Sequence, residues 1–468
     1  MDNPYHDKWL ILIAVSLALF MGAIDGTIVN VALPTLVANF HTDFPTIQWV
    51  VLAFLLGLSV LLLSVGRLAD MMGKKRIFML GLVIFIISSA LCGLSPTVYF
   101  LIAARLLQSS GAAMLLALGI AIVTETWPSA ERGKALGISA GVISLGIVLG
   151  PSLGGLIIGT LSWHWIFFIN VPLGLLTLAM VWRSMPPLHP KVAHEKFDFA
   201  GAVVLAGGLL ALLLALTVGQ NVGFGHPGIL ALFGVAIVTL VLFVLIEQRA
   251  RYPMVDLSLF RNLQFSLNLA TGALAFIAIA AVVFFLPFYL QLVLGQPVIA
   301  VGLLMGAAPL VQTVLGPLSG SISDRYGTRS VSIVGLIVLV AGYLIASTMS
   351  VDTSPAGFVL RMLPIGIGMA IFQSPNNSAI MGAAPRNRLG IASGMLSITR
   401  TVGQTMGVAL LGAFFAVLLS YYAGQPTDLS VAAPADIAHA LRGEFLMAAA
   451  LLGFALLLSL LAWRRERR

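Results

Sequence analysis

One carboxylate and three arginines stand inside long apolar runs of this sequence: Asp25, Arg105, Arg361 and Arg400. An ionisable group within a membrane is costly and is a functional-site hypothesis by default. Asp25 lies about eight residues from the nearer end of its run, ~12 Å of helix. Burial disfavours its charged form and a neighbouring arginine favours it. A carboxylate held between those limits can load and release a proton near neutral pH. Its competing reading is a structural ion pair or a hydrogen bond to backbone. Arg105 lies about seven residues into its own run, ~10 Å, at matching depth from the same face. The two can pair if their helices touch, and Arg105 then either biases the proton on Asp25 or simply packs against carbonyls. Arg361 and Arg400 have no carboxylate to match. Backbone carbonyls, water or an anionic group on a ligand must satisfy them.

Further candidates lie at the ends of the runs and along their faces. Asp70 sits among Arg67, Lys74, Lys75 and Arg76 in the segment Gly66-Arg-Leu-Ala-Asp-Met-Met-Gly73-Lys-Lys-Arg76. In water such a cluster is a solvated turn worth little; at a membrane boundary the carboxylate can cap a facing helix. Asp324, with Arg325 and Arg329, forms a sparser version without the paired lysines. Gly137, Gly141, Gly146, Gly150, Gly154 and Gly155 stripe one run, which lets a neighbouring helix approach closely, and Pro151 removes a donor within it. Asn30, Gln48, Gln108, Gln291, Gln312, Asn376, Asn377 and Gln404 supply neutral polarity, and Phe284, Phe285 and Tyr289 supply aromatic surface. A binding cavity needs apolar walls with few polar groups. The competing reading of each is ordinary packing or lipid contact.

The elements that must position these residues follow from composition. The chain has 468 residues, 59% hydrophobic and 9% charged, against about 45–50% and 25% in soluble domains. A spanning helix needs about 20 apolar residues. Fourteen spans are predicted: 9–33, 46–67, 77–95, 98–123, 135–160, 165–183, 199–218, 228–246, 265–293, 299–322, 330–349, 355–381, 390–420 and 443–463. On these boundaries Glu125, Glu247 and Glu444 fall at span ends, leaving Asp25 as the one membrane carboxylate. The first run is too long for a cleaved signal peptide, and thirteen more follow. Net charge is +8. Lys8, Arg67 with Lys74–Arg76, Arg132, Lys134, Arg183, Lys191, Lys196, Arg249, Arg251, Arg261, Arg325, Arg329, Arg386, Arg388 and the terminal arginines occupy alternate loops. The opposite loops carry only Arg442. This bias places both termini in the cytoplasm, and it points to a lipid bilayer rather than nucleic acid as the partner of the basic charge.

The two ends of the chain resemble each other. Leu136–Gly141 matches Leu389–Gly394 and Leu33-Pro34 matches Leu286-Pro287, both at an offset of 253; Asp70 and Gly73 match Asp324 and Gly327 at 254; Arg105 matches Arg361 at 256. Residues 1–190 and 261–468 therefore read as two six-helix halves, and 191–260 as an inserted two-helix hairpin with its linkers. The repeat partner of Asp25 is Ala278, so the second half has the arginine without the carboxylate. Such repeats point to a secondary transporter with its site near the midplane. An enzyme is disfavoured. All seven histidines fall outside the spans or at their edges, Cys92 is the single cysteine, and no metal-protease or phosphate-loop motif is present. No ATP site and no cofactor is expected beyond a proton gradient, and the repeat argues against an ion channel.

With these residues in view, the whole chain resembles the major facilitator superfamily, and within it the fourteen-span drug:proton antiporter branch (QacA/EmrB-like). The motifs are Asp25-Gly-Thr-Ile-Val-Asn-Val-Ala-Leu-Pro34, Gly66–Arg76, Arg105 with Gln108 and Gly111, Gly150-Pro-Ser-Leu-Gly-Gly155, and Trp163-His-Trp-Ile-Phe-Phe-Ile-Asn-Val-Pro-Leu-Gly174. The resemblance implies an all-α polytopic fold in which spans 1 and 4 touch around a central cavity. It implies proton coupling through Asp25 and Arg105, a cytoplasmic latch at Asp70 and Asp324, and a glycine seam between the halves that prevents proton leak. It also implies export of amphipathic small molecules from a monomer in a bacterial inner membrane, with a metabolite or lipid-like substrate on the same scaffold as the alternative. Because Ala278 and Arg361 stand where a second carboxylate would help, dications are expected to be poor substrates. Spans 7 and 8 carry no membrane charge and are expected to pack peripherally.

Overall fold

The computed structural model describes residues 8–128, 131–186, 198–249, 257–385, 389–429 and 431–466. Lys191, Lys196, Arg251, Arg386, Arg388 and Arg467–Arg468 of the expected cytoplasmic set lie outside them. Fourteen helices among the described residues are long and apolar enough to cross a membrane, and no strand occurs there. They are α1 (Lys8–Phe40), α2 (Phe44–Met72), α3 (Lys74–Gly93), α4 (Val98–Thr126), α5 (Arg132–Thr160), α6 (Trp165–Ser184) and α7 (Phe199–Val222). After them come α8 (Pro227–Arg249), α9 (Leu263–Val293), α10 (Val298–Tyr326), α11 (Thr328–Ala346) and α12 (Pro355–Ala383). The last two are α13, whose parts Leu389–Met406 and Gly412–Ala423 flank a π turn, and α14 (Pro434–Glu466). In lipid every backbone donor must be satisfied inside its own segment, which leaves the helix as the solution for these runs.

Local chemistry sets the helix ends. The Thr97 side chain accepts from Phe100 N at 3.2 Å to start α4, and Ser354 accepts from Gly357 N at 3.1 Å to start α12, the usual N-cap arrangement. Gly73 and Gly327 join α2 to α3 and α10 to α11 with φ of 93° and 86°. Only glycine takes that conformation without steric cost, so the repeated Asp-x-x-Gly spacing encodes two equivalent tight turns.

One boundary differs from expectation. The last helix begins at Pro434 rather than 443. His439 and Arg442 interrupt the apolar run, but they lie on an exposed face while Ile437, Ala440 and Leu441 are buried. A face-restricted polar pair does not break a helix. Glu444 therefore lies about 15 Å inside α14 at 1.5 Å per residue and is fully buried. Asp25 is not the sole carboxyl within a span. Glu247 is buried as well, although it sits near the end of α8, as expected.

The chain divides into two compact units. One comprises Met1–Ala32, Trp49–Leu210 and Ala236–Met254; the other comprises Leu33–Gln48, Ala211–Val235 and Val255–Arg468. In the first, α3 packs on α4 and α6. In the second, α11 packs on α12 and α14, and α9 on α13 and α14. Glycines set the closest seams. A Cβ at Gly111 would stand 2.7 Å from both Gly81 O and Phe85 N, and one at Gly368 would stand 2.7 Å from Leu339 N. These are backbone atoms, which cannot swing aside. The α8 window is the most apolar, with mean hydropathy 3.2, yet only 17% of it is buried. An apolar helix that the protein leaves uncovered is a lipid-facing one.

Gly111→Ala is expected to cost about 1–3 kcal/mol by overpacking and to lower the thermal midpoint in detergent. Gly453→Ala, which meets open space, should leave it unchanged or raise it.

Candidate functional site

Asp25 comes from the middle of α1, and Arg105 and Gln108 lie one turn apart on α4, so both α4 side chains reach the same carboxylate. Arg105 Nη1 donates to Asp25 Oδ2 in an ion pair, and Gln108 Nε2 donates to Asp25 Oδ1 at 3.0 Å. The remaining valences are filled from four further sources. Arg105 Nη1 also donates to Gln108 Oε1 at 2.6 Å, and its Nε donates to the Val50 carbonyl of α2 at 3.2 Å. Gln108 Nε2 donates to Ser89 Oγ of α3 at 2.8 Å, and Asn170 Nδ2 of α6 donates to Asp25 Oδ1 at 3.2 Å. The guanidinium lies 4.1 Å from the Phe54 ring centroid, a cation–π contact. Asp25, Arg105 and Gln108 are each at most 1% exposed.

Five helices of one unit thus converge on one carboxylate. Desolvating both charges is costly, and only good geometry with extra hydrogen bonds repays it. Here the carboxylate receives three donors and the guanidinium has two acceptors besides it.

Sequence reasoning found Asp25, Arg105 and Gln108 but not Ser89 or Asn170. Asn170 stands within the quoted Trp163–Gly174 segment. Its signal was an amide followed by Val-Pro inside an apolar run, which does not reveal a partner 145 positions away.

Three glycines of the stripe pack against a helix of their own unit. A Cβ at Gly146 would meet Phe20 O at 3.1 Å, one at Gly150 would fall on Thr27 Oγ1, and one at Gly154 would meet Ile28 O at 3.0 Å. The stripe on α5 therefore clasps α1 of its own unit on both sides of Asp25. Its four-residue period fixed a close approach but could not name which helix approaches. Pro151 and Gly155 are buried beside it.

At the expected latch, Lys74 forms an ion pair with Glu125 at the end of α4, and Lys75 Nζ donates to the carbonyls of Trp182 and Met185. Arg76 is exposed. Gly66 and Asp70 fall in α2 and Asp324 in α10, but their side-chain environments lie outside the described residues. Arg325 is exposed, while Arg329 is half-buried beside Gln264, Asn268 and Ser378.

The cavity candidates are distributed over both units. Asn30 is buried in α1. Gln48 accepts from Gln220 Nε2 at 3.2 Å, and Gln312 bonds to Gln373. Asn376 accepts from Thr271 Oγ1 at 3.4 Å and donates to Asn268 O at 3.2 Å. Phe284 belongs to a packed aromatic core with Phe44, Phe285 and Phe288, and Tyr289 donates to Ser350 O at 2.7 Å. Both are buried; Gln291 is half-buried in the π turn that ends α9. Arg361 donates to Thr348 Oγ1 and to the Gly357 carbonyl, each at 3.0 Å, which is the packing alternative. The Arg400 guanidinium lies 5.9 Å from the Phe276 ring centroid.

Residues 15–408 match the family model described as Major Facilitator Superfamily. The chain belongs to the Major Facilitator Superfamily. It is accordingly a multi-pass membrane protein and a secondary transporter, not an enzyme. It is 32% identical over 414 residues to the riboflavin transporter RibZ of Clostridioides difficile, covering 88% of this chain and 90% of the relative. It is 34% identical over 412 residues to the multidrug resistance protein Stp of Mycobacterium tuberculosis, covering 88% and 76%. A bacterial homologue of the human lysosomal transporter Spinster, solved in an inward-facing unoccupied conformation, has the same fold, with a TM-score of 0.73 at 17% identity over 99% of this chain and 98% of that one.

Removing one partner of a buried pair costs about 3–5 kcal/mol. Arg105→Leu is expected to lose that much stability in denaturant unfolding in detergent. Adding Asp25→Asn to it should recover a substantial part, because the stranded charge goes with it. Asn170→Ala should cost about 1–3 kcal/mol, the range for a lost bond to a charged group.

Proposed function

We propose that the protein is a proton-driven antiporter of the fourteen-span QacA/EmrB-like branch, exporting amphipathic small molecules by alternating access. The observation that carries this reading is the buried Asp25–Arg105 pair with its ring of amide donors. Protonating Asp25 turns an acceptor of three hydrogen bonds into a neutral group. The Arg105 charge then loses its counter-ion, and the tie between α1 and α4 weakens. Arg105 keeps the Val50 carbonyl and Gln108, so it stays in place to recapture the carboxylate when the proton leaves. A two-state element that a proton biases in this way is what coupling requires. The glycine clasp of α5 on α1 supports the reading, since it holds the Asp25 segment tightly on both sides.

In this proposal Asp25 binds the proton and Arg105 biases it, and Gly66, Asp70, Gly73, Lys74, Arg76, Asp324, Arg325 and Arg329 belong to the cytoplasmic gate. The proton gradient is the sole energy source, no cofactor takes part, and the monomer is the working unit. Both termini are cytoplasmic by the distribution of Lys and Arg, and the bacterial relatives support an inner-membrane location. Dications remain poor expected substrates, because Arg361 and Ala278 occupy the second repeat where a carboxylate would serve them, and Glu444 is packed within a helix seam. Likeness to a multidrug resistance protein supports broad export, whereas likeness to a riboflavin transporter favours a second reading, a carrier dedicated to one metabolite.

The test uses proteoliposomes loaded with a panel of amphipathic dyes and riboflavin under an imposed pH gradient, comparing wild type with Asp25→Asn. Dye movement opposite to protons, lost in the variant, is expected. Movement unchanged by Asp25→Asn would refute coupling through Asp25 and leave that carboxylate a structural ion. Movement of riboflavin without movement of any dye would favour the second reading.

A further inference from the structure

The buried face of α14 is apolar except at one position. Ile437, Ala440 and Leu441 lie above Glu444 and Ala448 and Leu452 below it, all buried, with Glu444 itself 0% exposed. Neither carboxyl oxygen of Glu444 has a hydrogen-bond partner among the described residues. Across the seam, Tyr343 of α11 is 1% exposed and its hydroxyl is likewise unpartnered among the described residues. The Tyr343 ring lies 6.3 Å from that of Phe445, which fixes the two helices side by side.

The groups that could neutralise a charge there are engaged elsewhere or face away. Tyr289, in the π turn of α9, gives its hydroxyl to Ser350 O. On α13, Tyr421 and Tyr422 are exposed, Tyr422 lies against His439, and Arg400 is over Phe276. On α14 itself His439 and Arg442 are exposed and Asp436 is a half-buried acid in the first turn. No ion pair to Glu444 occurs among the described residues. An ionised carboxylate without partners in a low-dielectric seam is strongly disfavoured, and the group takes up a proton instead.

The repeat sharpens the point. Tyr343 stands 254 positions after Ser89, the offset that relates Gly73 to Gly327 and also Gly81 to Gly335. In the first unit Ser89 and Asn170, from the third and sixth spans, serve the network around Asp25. In the second unit the Asp25 counterpart is Ala278, fully buried, and the acid stands on the last span beside Phe445, whose ring lies 6.3 Å from that of the counterpart of Ser89. The second repeat thus has a buried carboxyl on its last span, with no ion pair to an arginine among the described residues.

We propose that Glu444 is a second proton-binding site, neutral while α9, α11, α13 and α14 pack as they do here, which surrenders its proton when water enters that seam. This rests on the membrane fold and not on coupling through Asp25, and its test needs no transport. Infrared spectra of the full-length protein in lipid are recorded for wild type, Asp25→Asn and Glu444→Gln across a pH titration and in D2O. A protonated-carboxyl carbonyl band is expected at neutral pH. It should survive Asp25→Asn, vanish in Glu444→Gln, shift in D2O and bleach on alkaline titration. If Glu444→Gln does not fold, Glu444→Asp should move the band instead of abolishing it. A Glu444-dependent carboxylate band at neutral pH would overturn the proposal. So would an acid band that neither exchanges in D2O nor titrates.

Discussion

A charged pair that has no access to water must be solvated by protein, and this requirement organises the first unit. Around Asp25 and Arg105, Gln108, Asn170 and the Val50 carbonyl supply the hydrogen bonds that water would otherwise make. The pair and those partners come from α1, α2, α4 and α6, with Ser89 of α3 accepting from Gln108. Each of these helices is therefore fixed in rotation and depth by a polar side chain or carbonyl, in a medium where apolar packing alone distinguishes poorly between rotations. The close clasp of α5 on α1 then holds the Asp25 segment by its backbone. A change of charge at one atom of Asp25 is felt by all of these contacts together.

The two repeats treat the same cost differently. In the first, carboxylate and guanidinium neutralise each other. In the second, Arg361 is satisfied by a hydroxyl and a carbonyl of neighbouring turns, while the buried acid, Glu444, has no ion pair among the described residues. The same backbone plan therefore carries one ion pair and one isolated acid. The scaffold itself is preserved, as the glycine turns at Gly73 and Gly327 and the glycine seams of α3–α4 and α11–α12 show.

The environment outside the helices explains the rest of the side-chain pattern. Helices with polar work to do are well buried, such as α1 at 67% of its window. The helix α8 is mostly uncovered, and its 18-residue membrane window is the most apolar of the fourteen. Exposed Ile237, Val238 and Val241 on it are ordinary for a surface that meets acyl chains, although they would be a liability in water.

The sequence by itself determined the number of spans, the repeat, the tight glycine turns and the identity of the principal carboxylate and arginine. Each rests on local or one-dimensional information: run length, charge spacing and offset. Matching depth even made the Asp25–Arg105 pair legible, because rise per residue is fixed. Only the tertiary structure decided partners. It set Gly146, Gly150 and Gly154 against α1, brought Asn170 and Ser89 into the network, and gave Phe284 and Tyr289 to a packed core. It also extended α14 by reading through His439 and Arg442, which exposed face and buried face together tolerate, and so revealed Glu444. Partnership depends on which helix faces come together, and a near-uniform apolar sequence holds little of that information, because in lipid most faces are equally hydrophobic.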